Sequence, residues 1–180
     1  MKIRRALPED APALAHIQVD SYRSAYAGIL PKEFLAHFTY AEQAQDWRDL
    51  IDAEGPALLL VAVEDDGRIN GYALGNSAAH SLPGCDSELE ALHVRRERHG
   101  KGVGHALIRA MACLMREAGC DRMGLWVLAQ NKTARAFYER MGGQYQGERT
   151  IILGDDDIRA VEVSYAWPEI DDLCAEGKIC

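Results

Sequence analysis

A strand that runs directly into a basic, glycine-rich turn and then into a long helix constrains this sequence more than any other feature. The segment reads Leu92-His93-Val94-Arg95-Arg96-Glu97-Arg98-His99-Gly100-Lys101-Gly102-Val103-Gly104-His105-Ala106-Leu107. Alternating glycines let backbone N–H groups converge without Cβ interference, at a helix N-terminus whose dipole favours an anion. Five basic side chains (Arg95, Arg96, Arg98, Lys101 and Arg109) accompany them against one acid, Glu97. The segment is expected to be an anion site, suited to pyrophosphate; the alternative is a glycine turn with solvated charges. It is not a Walker A loop, which needs G-x-x-x-x-G-K-[ST]. Nor is it the dinucleotide fingerprint, which needs G-x-G-x-x-G after an early strand.

The rest of the chain bounds the class. With 180 residues, 48% apolar and 27% charged, it fits one soluble domain with its own core. A formal charge of −8 disfavours a general nucleic-acid or membrane-surface binder, since both need a cationic field. The longest apolar run, Ala57 to Val63, is strand-sized, far short of the roughly 18 residues of a bilayer span. No signal peptide is visible, because the basic and then acidic N-terminus lacks an apolar stretch. Cys85, Cys113, Cys120, Cys174 and Cys180 show no CxxC or zinc spacing and read as free thiols in a reducing cytoplasm. His16, His37, His80, His93, His99 and His105 show no ligand spacing, so no metal is expected.

Periodicity supplies the elements. Lys2 to Ala6 reads as a strand, and Pro8-Glu9-Asp10 opens a helix carrying Leu14, Ile17 and Tyr22. Short helices are expected from Pro31 to Leu35 and from Ala41 to Ile51. Leu58 to Val63 and Ile69 to Leu74 form a hairpin around Asp65-Asp66-Gly67. Glu88 to Val94 is a strand, and Val103 to Ala118 a helix capped by Gly119. Met123 to Leu128 is a strand, Asn131 to Met141 a helix, and Gln144 to Leu153 and Arg159 to Ala166 close the order. The expected fold is α/β (α+β): a mixed, mostly antiparallel sheet of about seven strands with helices on both faces. One domain would span residues 1–167, followed by a surface tail over 168–180.

A second chemical block follows the first. Leu125-Trp126-Val127-Leu128-Ala129-Gln130-Asn131 leads into Lys132-Thr133-Ala134-Arg135-Ala136-Phe137-Tyr138-Glu139-Arg140-Met141-Gly142-Gly143. Asn131 and Tyr138 lie seven apart and share a helix face, about 20° from alignment. Read alone, Tyr138 could be a core aromatic and Asn131 an N-cap. Glu88 and Glu90, two apart, share one face of their strand and could equally be solvated or ion-paired. Cys85 has no His/Asn arrangement that would make it a nucleophile.

Together the two blocks resemble the GCN5-related N-acetyltransferase (GNAT) family. The first is similar to its strand followed by Arg/Gln-x-x-Gly-x-Gly/Ala, with Gly102 and Gly104 in place and Gly100 as a frequent extra glycine. The second is similar to N-x-x-A-x-x-F-Y-x-x-x-G-F. The resemblance covers roughly residues 2 to 166. His99 replaces the leading Arg/Gln, and Gly143 replaces the final Phe.

The resemblance implies acetyl-CoA as cosubstrate, no metal, and direct transfer of its acetyl group to a primary amine of a small molecule or protein. Tyr138 would protonate the departing thiolate. Glu88, six residues before Val94, would be the base, with Glu90 as second choice. The amide of Leu92 would stabilise the oxyanion, and the backbone of Leu92 and Val94, beside His93, would pair with pantetheine. Amides from His99 through Gly100, Lys101, Gly102, Val103 and Gly104 to His105 would hold pyrophosphate, with Asn131 and Ala134 nearby. Tyr22, Tyr26, Phe34 and the Asp155-Asp156-Asp157 turn would line the acceptor pocket. A cytoplasmic homodimer is a further expectation, and an acyl-CoA sensor without turnover is the competing class.

Overall fold

The computed structural model describes residues 1–78, 81–154 and 158–174. His80, the Asp155-Asp156-Asp157 turn, Cys180 and the end of the expected tail lie outside the described residues. The strands are β1 (Lys2–Arg5), β2 (Ala57–Val63), β3 (Ile69–Asn76), β4 (Ser87–Val94), β5 (Met123–Leu128), β6 (Gln144–Leu153) and β7 (Ile158–Trp167). The helices are α1 (Ala11–Ala25), α2 (Lys32–Ala36), α3 (Tyr40–Asp52), α4 (Val103–Glu117), α5 (Lys132–Arg140) and α6 (Asp171–Cys174). All seven strands join one sheet in the order β1-β2-β3-β4-β5-β7-β6. Every pairing is antiparallel except β4 with β5.

The continuous apolar run of β2 follows from burial on both faces. Leu58, Leu60 and Ala62 meet α4, while Leu59 and Val61 meet α1 and α3. On the α1 side Trp47 Nε1–H donates to Gln18 Oε1 at 2.7 Å, joining α3 to α1. On the other side α4 lies so close to β3 that a Cβ on Gly75 would stand 2.7 Å from Met111 Sδ. Glycine in that strand leaves room for the Met111 and Met115 side chains, which a Cβ there would displace.

Two expectations are corrected at the C-terminus. The segment from Pro168 is not a surface tail at its start: Ile170 and Leu173 are buried at 1% and 4% exposure, and α6 packs on α4. A four-residue helix is too short to show a 3.6-residue period, which hid it from sequence reading. Cys113 on α4 is disulfide-bonded to Cys174 on α6, so only Cys85 and Cys120 are free thiols among the described residues. That pairing spans 61 residues, and only topology could reveal it. The thiols therefore no longer argue for a reducing compartment.

Candidate active site

Strands β4 and β5 are paired only at Ser87↔Met123 and Glu88↔Gly124. Beyond that point they part, and a V-shaped cleft opens between Leu89–Val94 and Leu125–Leu128. Glu88 stands at its apex. An extra residue, Glu90, bulges β4 opposite the Leu74/Gly75 step of β3, and a bulge re-aims side chains and bends the strand.

The glycine turn closes the open end of the V. Gly100 and Gly102 take positive φ, +72° and +81°, and Gly102 is the left-handed N-cap of α4. The amides of His99 and Lys101 are spent within the turn, donating to Arg96 O at 3.1 Å and Arg98 O at 3.3 Å. Those of Gly100, Gly102, Val103, Gly104 and His105 have no acceptor among the described residues. The expected run of amides from His99 to His105 thus narrows to five, at the positive end of a 15-residue helix.

A ring nitrogen of His99 lies 2.9 Å from Val94 O and ties the turn back to the strand. In this chain an imidazole makes that tie at the position where the family pattern has Arg/Gln. The basic side chains divide. Arg95 Nε–H donates to Ile69 O at 2.8 Å and Arg98 pairs with Glu64 at 3.3 Å. Arg96 and Lys101 are exposed and have no partner among the described residues.

Main-chain alternation decides which groups of β4 meet the cleft. Arg95 N–H donates to Asn70 O on β3, and His93 pairs with Tyr72 in the same register. Leu92 and Val94 therefore turn their main-chain groups toward the cleft, although Val94 O already accepts from His99. His93 departs from the expected coenzyme role. Its ring packs between Tyr22 and Tyr72 at 5.6 and 5.3 Å on the α1 face. Burial pushes its pKa down to about 4, so it is neutral at neutral pH.

Helix α5 forms the second wall. Asn131 Oδ1 accepts from Ala134 N–H at 3.1 Å and so is the N-cap, which occupies Ala134's amide. Phe137 packs edge-on to His105 at 5.6 Å and to Tyr138 at 5.3 Å, setting α5 against the start of α4. Tyr138 is 8% exposed. Its hydroxyl has no hydrogen-bond partner among the described residues, and burial raises its pKa above the ordinary phenol value. Gly143 is explained by Trp167, whose ring would stand 2.9 Å from an added Cβ. The indole fills the space that a Phe side chain would need, and its N–H donates to Met141 O at 2.8 Å.

The acids share one face, as their spacing implies. Glu88 is half-buried and accepts a hydrogen bond from Ser81 Oγ–H, while Glu90 is exposed and accepts from Asn76 Nδ2 at 3.1 Å. Burial is the largest influence on Glu88 and raises its pKa; the Ser81 hydrogen bond opposes this. On the facing side Tyr22 and Tyr26 pack at 5.1 Å. Burial, with Tyr22, Tyr138 and Glu162 as electrostatic neighbours, raises the pKa of Tyr26.

Sequence reading missed three residues on this face. Arg149 of β6 lies 4.0 Å over the ring of Trp126 and pairs with Glu162 of β7 at 2.8 Å. That cross-strand partnership depends on a register shift between Tyr145 and Gly147, which period-2 counting passes over. Ser81, in a polar connection, carried no periodic signal. Among the described residues no three His, Cys, Asp or Glu stand together as a metal site, and no helix is long and apolar enough to cross a membrane.

Comparison with known proteins places this geometry. The profile of the acetyltransferase (GNAT) family matches residues 13–143. The chain is 29% identical over 171 residues to the uncharacterized N-acetyltransferase YuaI of Bacillus subtilis, covering 95% of each. It is 36% identical over 99 residues to the mycothiol acetyltransferase of Clavibacter michiganensis, but spans only 28% of that longer protein and 54% of itself. The PaiA N-acetyltransferase of Thermoplasma acidophilum, solved in complex with coenzyme A, superimposes with a TM-score of 0.72 at 20% identity, over 92% of this chain and 98% of that one. At that identity the likeness is one of fold.

Proposed function

This chain belongs to the acetyltransferase (GNAT) family, and from that premise we propose that it moves the acetyl group of acetyl-CoA to a primary amine by direct attack within the V-shaped cleft. What supports the reading is that five amides without an acceptor at the start of α4 and a buried phenol without a partner on α5 accompany a half-buried carboxylate at the last rung between β4 and β5.

The five amides would hold the pyrophosphate, with Lys101 and Arg96 as exposed counter-charges. Pantetheine would extend along the cleft-facing main chain of Leu92 and Val94, and an amide there would stabilise the oxyanion. The amine, with a pKa of roughly 10, arrives protonated and must lose its proton before attack. Glu88 would collect it, directly or through water, and its raised pKa makes it a better base than a solvated carboxylate. As the carbon–sulfur bond breaks, Tyr138 would donate its proton to the leaving thiolate. Tyr22, Tyr26 and Trp126, with Glu88 and Glu90, would favour a cationic amine on a short apolar carrier.

The test is release of free CoA from acetyl-CoA across a panel of aliphatic and aromatic primary amines. Stoichiometric N-acetylated product is expected; saturable binding of acetyl-CoA with no turnover on any amine would mark a sensor instead. Glu88→Gln should remove the acidic limb of the pH–rate profile. The rate should then climb with the amine's own deprotonation toward roughly pH 10. An unchanged limb would place the base elsewhere.

A further inference from the structure

We propose that Ser81 is a positioning residue, which fixes the Glu88 carboxylate in one orientation at the apex of the cleft. The inference rests on the reading of Glu88 as the base. It follows from how the segment before β4 is held rather than from any motif.

Three anchors fix that segment. Asp86 accepts from Asp121 N–H and Arg122 N–H, both at 2.9 Å, as the chain enters β4. Leu82 is 4% exposed and packs on Gly124, where an added Cβ would stand 2.8 Å from its Cδ1. Cys85 closes the same spot, 2.9 Å from that position, and Cys85 N–H donates to Leu82 O at 3.2 Å. Gly124 is also the residue paired with Glu88, at the last rung before the strands part. The packing that needs a glycine at position 124 therefore brings Ser81 to the Glu88 side chain.

There Ser81 Oγ–H donates to Glu88 Oε2, and Oε1 has no partner among the described residues. One oxygen is anchored and the other is left for an ammonium or a water. Without the anchor, a side chain with three rotatable torsions would share its time among rotamers.

The charged and titratable groups around Glu88 are Glu90 on its own strand, Cys85 in the anchored segment, Arg149 on β6 and Glu162 on β7. Burial and the two glutamates disfavour its charge, whereas Ser81 and Arg149 favour it. Removing the hydroxyl therefore raises the carboxyl's pKa further. The base acts when deprotonated, so the acidic limb must move toward higher pH.

In Ser81→Ala the acidic limb of kcat/KM should shift alkaline by roughly half to one pH unit, a range set by a partly exposed hydrogen bond to a charged group. At a fixed pH on that limb kcat/KM should fall about 3- to 10-fold, with the KM for acetyl-CoA unchanged. Ser81→Thr, which keeps the hydroxyl, should restore both. A shifted limb with Thr rescue supports the role. An unmoved limb in Ser81→Ala, or an equal loss in Ser81→Thr, overturns it.

A carbon-13 NMR titration of the Glu88 carboxyl in wild type and Ser81→Ala reads the same shift without turnover. If the limb survives in Glu88→Gln, the reading of the base has failed. If Glu88→Gln removes it and Ser81→Ala leaves both limb and NMR titration unmoved, only the role of Ser81 has failed.

Discussion

Tyr138→Phe should lower turnover about 100-fold or more while the affinity for acetyl-CoA stays within twofold. Two features set that size. First, the hydroxyl has no partner among the described residues, so its removal strands no buried donor or acceptor. The ring keeps its packing against Phe137, Tyr165 and Trp167 at 5.3, 6.4 and 6.3 Å. The melting temperature should therefore barely move, and a loss of activity cannot be assigned to unfolding. Second, burial raises the phenol's pKa, so the proton is present throughout the working pH range. A thiol leaves with a pKa near 8.5 in water. The same desolvation makes a thiolate released beside Tyr138 more basic and readier to accept that proton. Single-turnover kinetics with a saturating amine would measure the effect, and a kcat equal to wild type would remove Tyr138 from the chemistry.

How much of this was legible before folding depends on distance along the chain. The amide turn and the α5 wall are local motifs, so Gly100, Gly102, Asn131 and Tyr138 were named from spacing and resemblance alone. Their elements formed where periodicity placed them, because apolar faces on β2, β4 and α4 leave few alternatives. The sheet order was less readable. What separates β4 from β5 is the bulge at Glu90 and the end of pairing at Gly124, and no count of alternating residues contains either. Arg149, Glu162 and Trp126 meet across three strands, Ser81 reaches Glu88 from an irregular segment, and Cys113 finds Cys174 across 61 residues. Each contact is set by register or by a loop's path. His93 stands in the same motif, but strand alternation turns its ring to the opposite side of the sheet from the side chains of Leu92 and Val94.

Gly102→Val should abolish measurable coenzyme binding, a loss of about 100-fold or more, while the domain stays folded. The reason is conformational. At φ +81° a β-branched residue clashes with its own backbone, a strain on the order of 1–3 kcal/mol. An added Cβ would meet nothing within 4 Å, so no neighbour is pushed and the core is untouched. The turn is exposed and can relieve the strain by leaving the left-handed region. Doing so turns the amides of Gly102, Val103 and Gly104 away from their common focus. Several charge-assisted hydrogen bonds are then lost together, each a sizeable share of the binding energy. Lys101→Gln is the informative comparison, because it deletes one exposed charge and leaves every amide in place. It should cost less than tenfold, since a solvated ion pair contributes about 1 kcal/mol or less. Calorimetric titration of coenzyme A into the two variants separates backbone from side chain. Near-normal affinity in Gly102→Val would show that the turn is not the phosphate site, and a larger loss in Lys101→Gln would show that charge, rather than the amides, holds it.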